Sequence, residues 1–231
     1  MRNRPDAVML FAAGFGTRMG ALTRDRPKPL VEVAGRPLID HALSLARDAG
    51  VSRIVANLHY RAEMLERHLA PQGIALSVEQ PRILETGGGL RQALPLLGDG
   101  PVFTANTDAV WTGPNPYAGL RAAWDPARMD ALLLLIPAAR AAGHAGRGDF
   151  ARDEAGRLTR GGGLTYTGIQ ILRTDRLRLI PDTVFSLNRL WDAMAAEGRL
   201  HGTIHPGGWC DVGQPASIPL AEALLAGAGD V

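Results

Sequence analysis

An apolar run over residues 7–13 stops at Gly14, and the loop that follows carries Gly14, Gly16 and Gly20 with Thr17 and Arg18 among them. A continuous apolar stretch of that length fits a strand buried on both faces. A glycine-rich turn placed directly after such a strand brings backbone N–H groups close to a phosphate, because glycine has no Cβ to hold an anion away and accepts positive φ. Arg18 adds a planar, always charged donor that forks onto phosphate oxygens. The chain is therefore read as an α/β protein whose ligand lies at the carboxyl end of its first strand.

Lys28 is the only lysine; the 25 basic residues are otherwise arginines. An ammonium is a compact point charge with three rotatable donors, suited to a non-bridging phosphate oxygen, and Pro27 and Pro29 stiffen the backbone around it. Two well-known phosphate motifs do not fit. The dinucleotide fingerprint needs a third glycine where this chain has Met19, and the P-loop needs Gly-Lys-Ser/Thr where Lys28 stands between prolines.

Downstream, helix and strand patterns alternate. Residues 37–49 predict a helix with Pro37 in its first turn, an apolar face at helical spacing and a stop at Gly50. Residues 53–58 predict a strand, 61–69 a helix and 74–78 a strand. This rhythm argues for a parallel sheet with helices on its faces. Three glycines at 87–89 read as a loop ahead of a helix over 90–97, a slot into which a flat base could pass. A strand over 101–106 ends in Asn106-Thr107-Asp108. An aspartate at that end of a strand suits Mg²⁺, a hard cation that bridges to phosphates, and reads equally as a turn or N-cap residue. A helix is expected over 118–124, a central strand over 130–136, a hairpin over 152–160, a mobile turn at 161–163, a strand over 164–172 and helices over 186–196 and 217–226.

The stretch from Phe11 to Met19, together with Leu22-Thr23, Pro27-Lys28-Pro29-Leu30, Val33, Gly35 and Pro37-Leu38, resembles the signature of the sugar-1-phosphate nucleotidyltransferases. The resemblance runs on through Thr167-Gly168 to the closing Trp209-Cys210-Asp211-Val212-Gly213. It implies one nucleotidyltransferase domain over 1–231, a Rossmann-like three-layer α/β fold with a mostly parallel central sheet and a small β excursion around 140–175. The implied reaction joins an NTP and a sugar-1-phosphate into an NDP-sugar, with release of pyrophosphate. By the same resemblance Ala12, Ala13, Gly14, Gly16, Thr17 and Asn106 bind the nucleotide, and Glu85, Gly88 and Gly89 border its base. Arg18 serves the pyrophosphate side and Lys28 the α-phosphate. Asp108 and Asp211 hold Mg²⁺, and Asp149, Thr167 and Gly168 contact the sugar. The Glu85-Thr86-Gly87-Gly88-Gly89 and Gly146-Arg147-Gly148-Asp149-Phe150 segments look most like the N-acetylmuramate-1-phosphate uridylyltransferase branch. Three departures stand out: Thr107 where glycine is usual, Gln214 where threonine is common, and no second lysine for the sugar phosphate.

Composition narrows the rest. A formal charge of +2 without a Lys/Arg block argues against nucleic acid as a partner. No stretch has the length of a transmembrane helix. Cys210 is the only cysteine, so no intrachain disulfide can form; strand alternation turns it away from Asp211 as a small buried hydrophobe. The N-terminal apolar run is short for a signal peptide and leads straight into the loop, so a cytoplasmic enzyme is expected. The alternatives are a mannose- or heptose-1-phosphate guanylyltransferase, which shares the chemistry, a phosphocholine cytidylyltransferase, and a nucleotide-sensing module without catalysis. Aromatics make up 5% of the chain, few for the cage a choline would need. The oligomeric state is left open.

Overall fold

A computed structural model of the chain describes residues 4–228. Seven strands form the body of one sheet: β1 (Ala7–Phe11), β2 (Arg53–Leu58), β3 (Ala75–Val78), β4 (Val102–Asn106), β5 (Ala131–Pro137), β6 (Leu164–Leu172) and β7 (Leu200–Ile204). Their order is β3-β2-β1-β4-β6-β5-β7. Only β6 runs against its neighbours in this row; the other pairings are parallel. A hairpin of two short strands, Phe150–Arg152 and Leu158–Arg160, extends from the start of β6.

Side-chain alternation along β1 splits the core into two layers. Val8 and Leu10 pack with Ile39 and Leu43 of α1 (Leu38–Asp48), Leu65 of α2 (Ala62–Leu69) and Leu120 of α4 (Pro116–Ala123). Ala7 and Met9 pack on the opposite face with Leu90 and Ala93 of α3 (Glu85–Leu97) and with Leu190 and Trp191 of α5 (Asn188–Ala196). The three-layer α/β fold and mostly parallel sheet expected from the sequence are what the chain adopts. α4 begins two residues before its expected start: Pro116 takes the first helical position and the Asn115 side chain accepts from the Tyr117 and Ala118 amides.

A second, small sheet sets Trp209–Asp211 between Ala109–Trp111 and Ala141–Ala142. Its inner face packs with Met19, Val33 and Leu38 and with Ala221 of α6 (Ser217–Ala228). Cys210 lies fully buried in that cluster, where burial, and then the Asp211 charge, push its thiol up to about 11. Among the described residues no helix is long and apolar enough to cross a membrane.

Two expectations are corrected. The segment at 161–163 is pinned, with Gly161 N donating to Asp149 O at 2.9 Å and Gly163 O accepting from Ala138 N at 2.8 Å. The glycines at 87–89 form no loop: they are buried inside α3 and serve close packing. A Cβ on Gly87 would lie 2.3 Å from the Phe185 ring, one on Gly88 2.4 Å from Thr183 O, and one on Gly89 2.4 Å from Glu79 Oε1. In an open helix, Gly→Ala stabilises by about 1 kcal/mol. Here Gly88→Ala is expected to destabilise by about 1–3 kcal/mol, the scale of overpacking, as read from urea unfolding midpoints; a gain in stability would show that Gly88 has room to spare.

Candidate active site

The carboxyl ends of β1, β2 and β4 open into a cleft of about 330 Å³, lined by Ala12, Ala13, Gly14, Gly16, Thr17 and Arg18 from the first loop. Lys28, Asn57, Glu85, Thr86, Asn106 and Asp108 complete its walls. The loop does not continue as a plain turn. Residues Thr17–Thr23 coil into 3₁₀ turns broken at Gly20, and Gly16 enters them at φ 64°. A Cβ on Gly16 would stand 2.7 Å from Lys28 Cβ, so glycine is what lets the lysine stem pass under the loop. Tyr60 holds the far end of the turns, donating to Arg24 O at 2.8 Å.

Lys28 is buried, and its Nζ donates to Asp108 Oδ2 at 2.7 Å. Asp211 approaches from the small sheet, where it pairs with Ala109 while Val212 N donates to Asp108 O at 2.8 Å. Arg18 reaches the same point: a Cβ on Gly213 would meet Asp211 Oδ2 at 2.8 Å and Arg18 Nη1 at 3.1 Å. Burial and the neighbouring Asp108 charge hold the Asp211 carboxyl above its usual range, against the opposing pull of Lys28, Arg18 and His144. Two carboxylates thus converge where an added positive charge would be welcome. Among the described residues no group of three or more His, Cys, Asp or Glu side chains gathers to hold a metal. A carboxylate pair suits Mg²⁺, which keeps several waters and takes substrate phosphates as its other ligands.

The end of β1 is held from both sides, by Thr107 and by two groups that the sequence reading passed over, Asn57 and Glu79. Thr107 donates to Phe11 O at 2.8 Å, which gives the hydroxyl that replaces the usual glycine a structural task. Asn57 Oδ1 accepts from Ala12 N at 2.8 Å, and its Nδ2 donates to Glu79 Oε1 at 2.6 Å. The other Glu79 oxygen accepts from Leu84 N at 2.7 Å, just ahead of α3. Glu79 is fully buried. The available signal was a polar residue near the end of each apolar run, Asn57 in β2 and Glu79 after β3.

Other expected contacts fall differently. Gly88 and Gly89 face protein neighbours, and only Glu85 and Thr86 from that segment reach the cleft. Thr167 is buried, on the same face of β6 as Thr165 and Ile169, and its hydroxyl donates to Leu134 O at 2.7 Å where the β6–β5 register shifts between Tyr166 and Gln170. Gly168, at φ 91°, supports the site indirectly: a Cβ there would press on Asn106 at 2.9 Å. Asn106 also borders a second hollow of about 290 Å³, which shares Phe11 and Thr86 with the first and contains Asp149 and Arg160. Asp149 Oδ2 accepts from Tyr166 N at 2.8 Å.

A glycine loop, a buried lysine and a carboxylate pair at the strand ends of a Rossmann-like sheet define a nucleotidyltransferase. The chain belongs to the MobA-like NTP transferase family, whose domain model matches residues 8–209. It is 43% identical to an N-acetylmuramate alpha-1-phosphate uridylyltransferase of Caulobacter vibrioides, across 98% of this chain and 99% of that one. The protein of the same description from Neisseria meningitidis is 36% identical, across 94% of this chain and 97% of its own length. In fold, HddC from Yersinia pseudotuberculosis superposes with a TM-score of 0.77 at 20% identity, covering 95% of this chain and 99% of its own.

Replacing Asn57 by Ala would leave both Ala12 N and a Glu79 oxygen without their buried partner. The expected loss is about 2–4 kcal/mol of stability, the scale for stranding two such groups, measured by urea unfolding. A loss below about 0.5 kcal/mol would mean that the end of β1 does not depend on Asn57.

Proposed function

We propose that the chain transfers the uridylyl group of UTP to N-acetylmuramate α-1-phosphate, with pyrophosphate as the second product. The observation that carries the chemistry is the ion pair of buried Lys28 with half-buried Asp108 beneath the glycine loop, with Arg18 and Asp211 beside it. The choice of base and sugar rests on the two uridylyltransferase relatives matched over nearly their full length.

In this reading an oxygen of the sugar phosphate attacks the α-phosphorus in line with the departing pyrophosphate. Such a transfer asks the protein for positioning and charge neutralisation more than for covalent chemistry. Backbone N–H groups from Gly14 to Thr17 and the Arg18 guanidinium meet the leaving pyrophosphate. Lys28, kept in place by Asp108, meets the α-phosphate oxygens, where negative charge gathers. Asp108 and Asp211 would hold Mg²⁺, which when bound neutralises phosphate charge. Asn106 and Glu85 line the nucleotide half of the cleft, while Asp149 stands in the adjoining hollow for the sugar. Cytoplasmic action belongs to the same proposal, as does the absence of nucleic-acid and membrane partners. A sensor without catalysis would have no use for both carboxylates.

Lys28→Ala is expected to lower kcat by about 10²-fold or more, the effect of losing one preorganised charge-stabilising donor. Pyrophosphate release with Mg²⁺ would be followed for UTP, GTP, CTP and dTTP against N-acetylmuramate, N-acetylglucosamine and mannose 1-phosphates. Highest kcat/KM with UTP and the muramate is the expected result. Preference for GTP and mannose 1-phosphate would overturn the substrate assignment and leave the mechanism standing; a Lys28→Ala enzyme within threefold of the parent would overturn the role of the lysine.

A further inference from the structure

The hollow beyond Asn106 has an unusual charge for a sugar site. Its walls mix aromatic side chains, Phe150, Tyr166 and Trp191 among them, with neutral polar ones such as Gln170 and Asn188, and two charged side chains line it, Asp149 and Arg160. Asp149 is tied to the Tyr166 amide. Arg160 is held in a fixed plane: its Nε donates to Asp192 Oδ1 at 2.9 Å and its Nη2 to Asn188 Oδ1 at 2.8 Å. Its guanidinium carbon lies 5.0 Å from the Phe150 ring centre and 5.5 Å from that of Trp191. These bonds leave out Nη1, a terminal nitrogen with two N–H donors. The Arg160–Asp192 pair is half exposed, so it constrains the direction of the guanidinium more than it cancels its charge.

The phosphate of the acceptor belongs at the reaction centre, because its oxygen attacks there. A cation further out therefore has no phosphate to meet, and the hydroxyls of a neutral sugar do not require one. We infer that Arg160 is a specificity-determining residue that binds a second anionic group of the acceptor, a carboxylate carried on the sugar ring. This rests on the proposed substrate: N-acetylmuramate is N-acetylglucosamine bearing a lactyl ether that ends in a carboxylate. A planar fork fixed against aromatic rings suits a carboxylate better than a flexible ammonium would.

The test pairs one substitution with one change in the substrate. Wild type and Arg160→Gln would be compared on N-acetylmuramate 1-phosphate and on its lactyl methyl ester, which keeps the shape and loses the charge. In the wild type, esterification is expected to raise the acceptor KM at least tenfold; in Arg160→Gln the acid already shows the raised KM, and esterification changes it by less than twofold. The KM for UTP should stay within twofold of wild type in the variant, which reports an intact fold and nucleotide site. If the variant and the wild type lose the same factor on esterification, or the wild type loses none, the inference is overturned. A wild type that turns over other sugar phosphates and not N-acetylmuramate 1-phosphate would overturn the substrate reading itself. An Arg160→Gln protein with a disturbed KM for UTP would be replaced by Arg160→Met, which keeps the apolar stem and lacks the charge, in the same cycle, judged by the same loss on esterification.

Discussion

The ion pair between Lys28 and Asp108 joins parts of the chain 80 residues apart, and most of the site is arranged so that it can exist. A lysine stem can pass beneath the phosphate loop only because Gly16 has no side chain in its path. Asp108 can face it only because β4 ends beside β1, where Thr107 ties the two strand ends together. Burying an ammonium and a carboxylate is costly unless each finds its partner at good geometry. The pair is therefore weak evidence of stability and good evidence of a preset charge: it keeps a cation fixed in the cleft.

A similar logic governs the neutral and acidic groups behind the loop. Ala12, Asn57, Glu79 and Leu84 form one buried chain of hydrogen bonds, and through it the phosphate loop, the end of β2 and the start of α3 are positioned together. In a low-dielectric interior such a chain is strong when every member is satisfied and expensive when one is missing. The helix it supports brings its glycines against Glu79, Thr183 and Phe185, so that Glu85 and Thr86 stand at the mouth of the cleft. The glycine loop is thus braced by residues far from it in sequence.

Much of this was legible in the sequence where it follows from local rules. The apolar run ahead of glycines located β1 and the loop; the alternation of helix and strand patterns gave the layered sheet; the single lysine marked itself. What could not be read was tertiary. Three consecutive glycines look like a helix breaker, yet here the close approach of Phe185 and Thr183 admits no side chain, and packing outweighs propensity. Thr167 was assigned to the sugar by resemblance, and where the β6–β5 register shifts its hydroxyl is spent on Leu134 O, a partner that no local pattern announces. Asn57 and Glu79, separated by 22 positions, give no local sign that they will meet.

The reversed strand explains why the cleft has two halves. In a wholly parallel sheet, only carboxyl ends reach the ligand edge. Because β6 is antiparallel to β4, its amino end arrives there instead: Ile169 pairs with Ala105, so residues 164–167 run out past Asn106. The hairpin that precedes β6 is carried to the same edge, with Asp149 at its base and Arg160 on its second strand. The first hollow is thus built from the ends of parallel strands and the second from what the antiparallel strand delivers. Gly168, at the point where they meet, packs against Asn106, one of three residues common to both. The wall of the second hollow can change with the 150–160 hairpin while the first hollow, anchored in β1 and β4, stays as it is. A charge placed on that hairpin, as Arg160 is, can therefore change without moving the strand ends that carry Lys28 and Asp108.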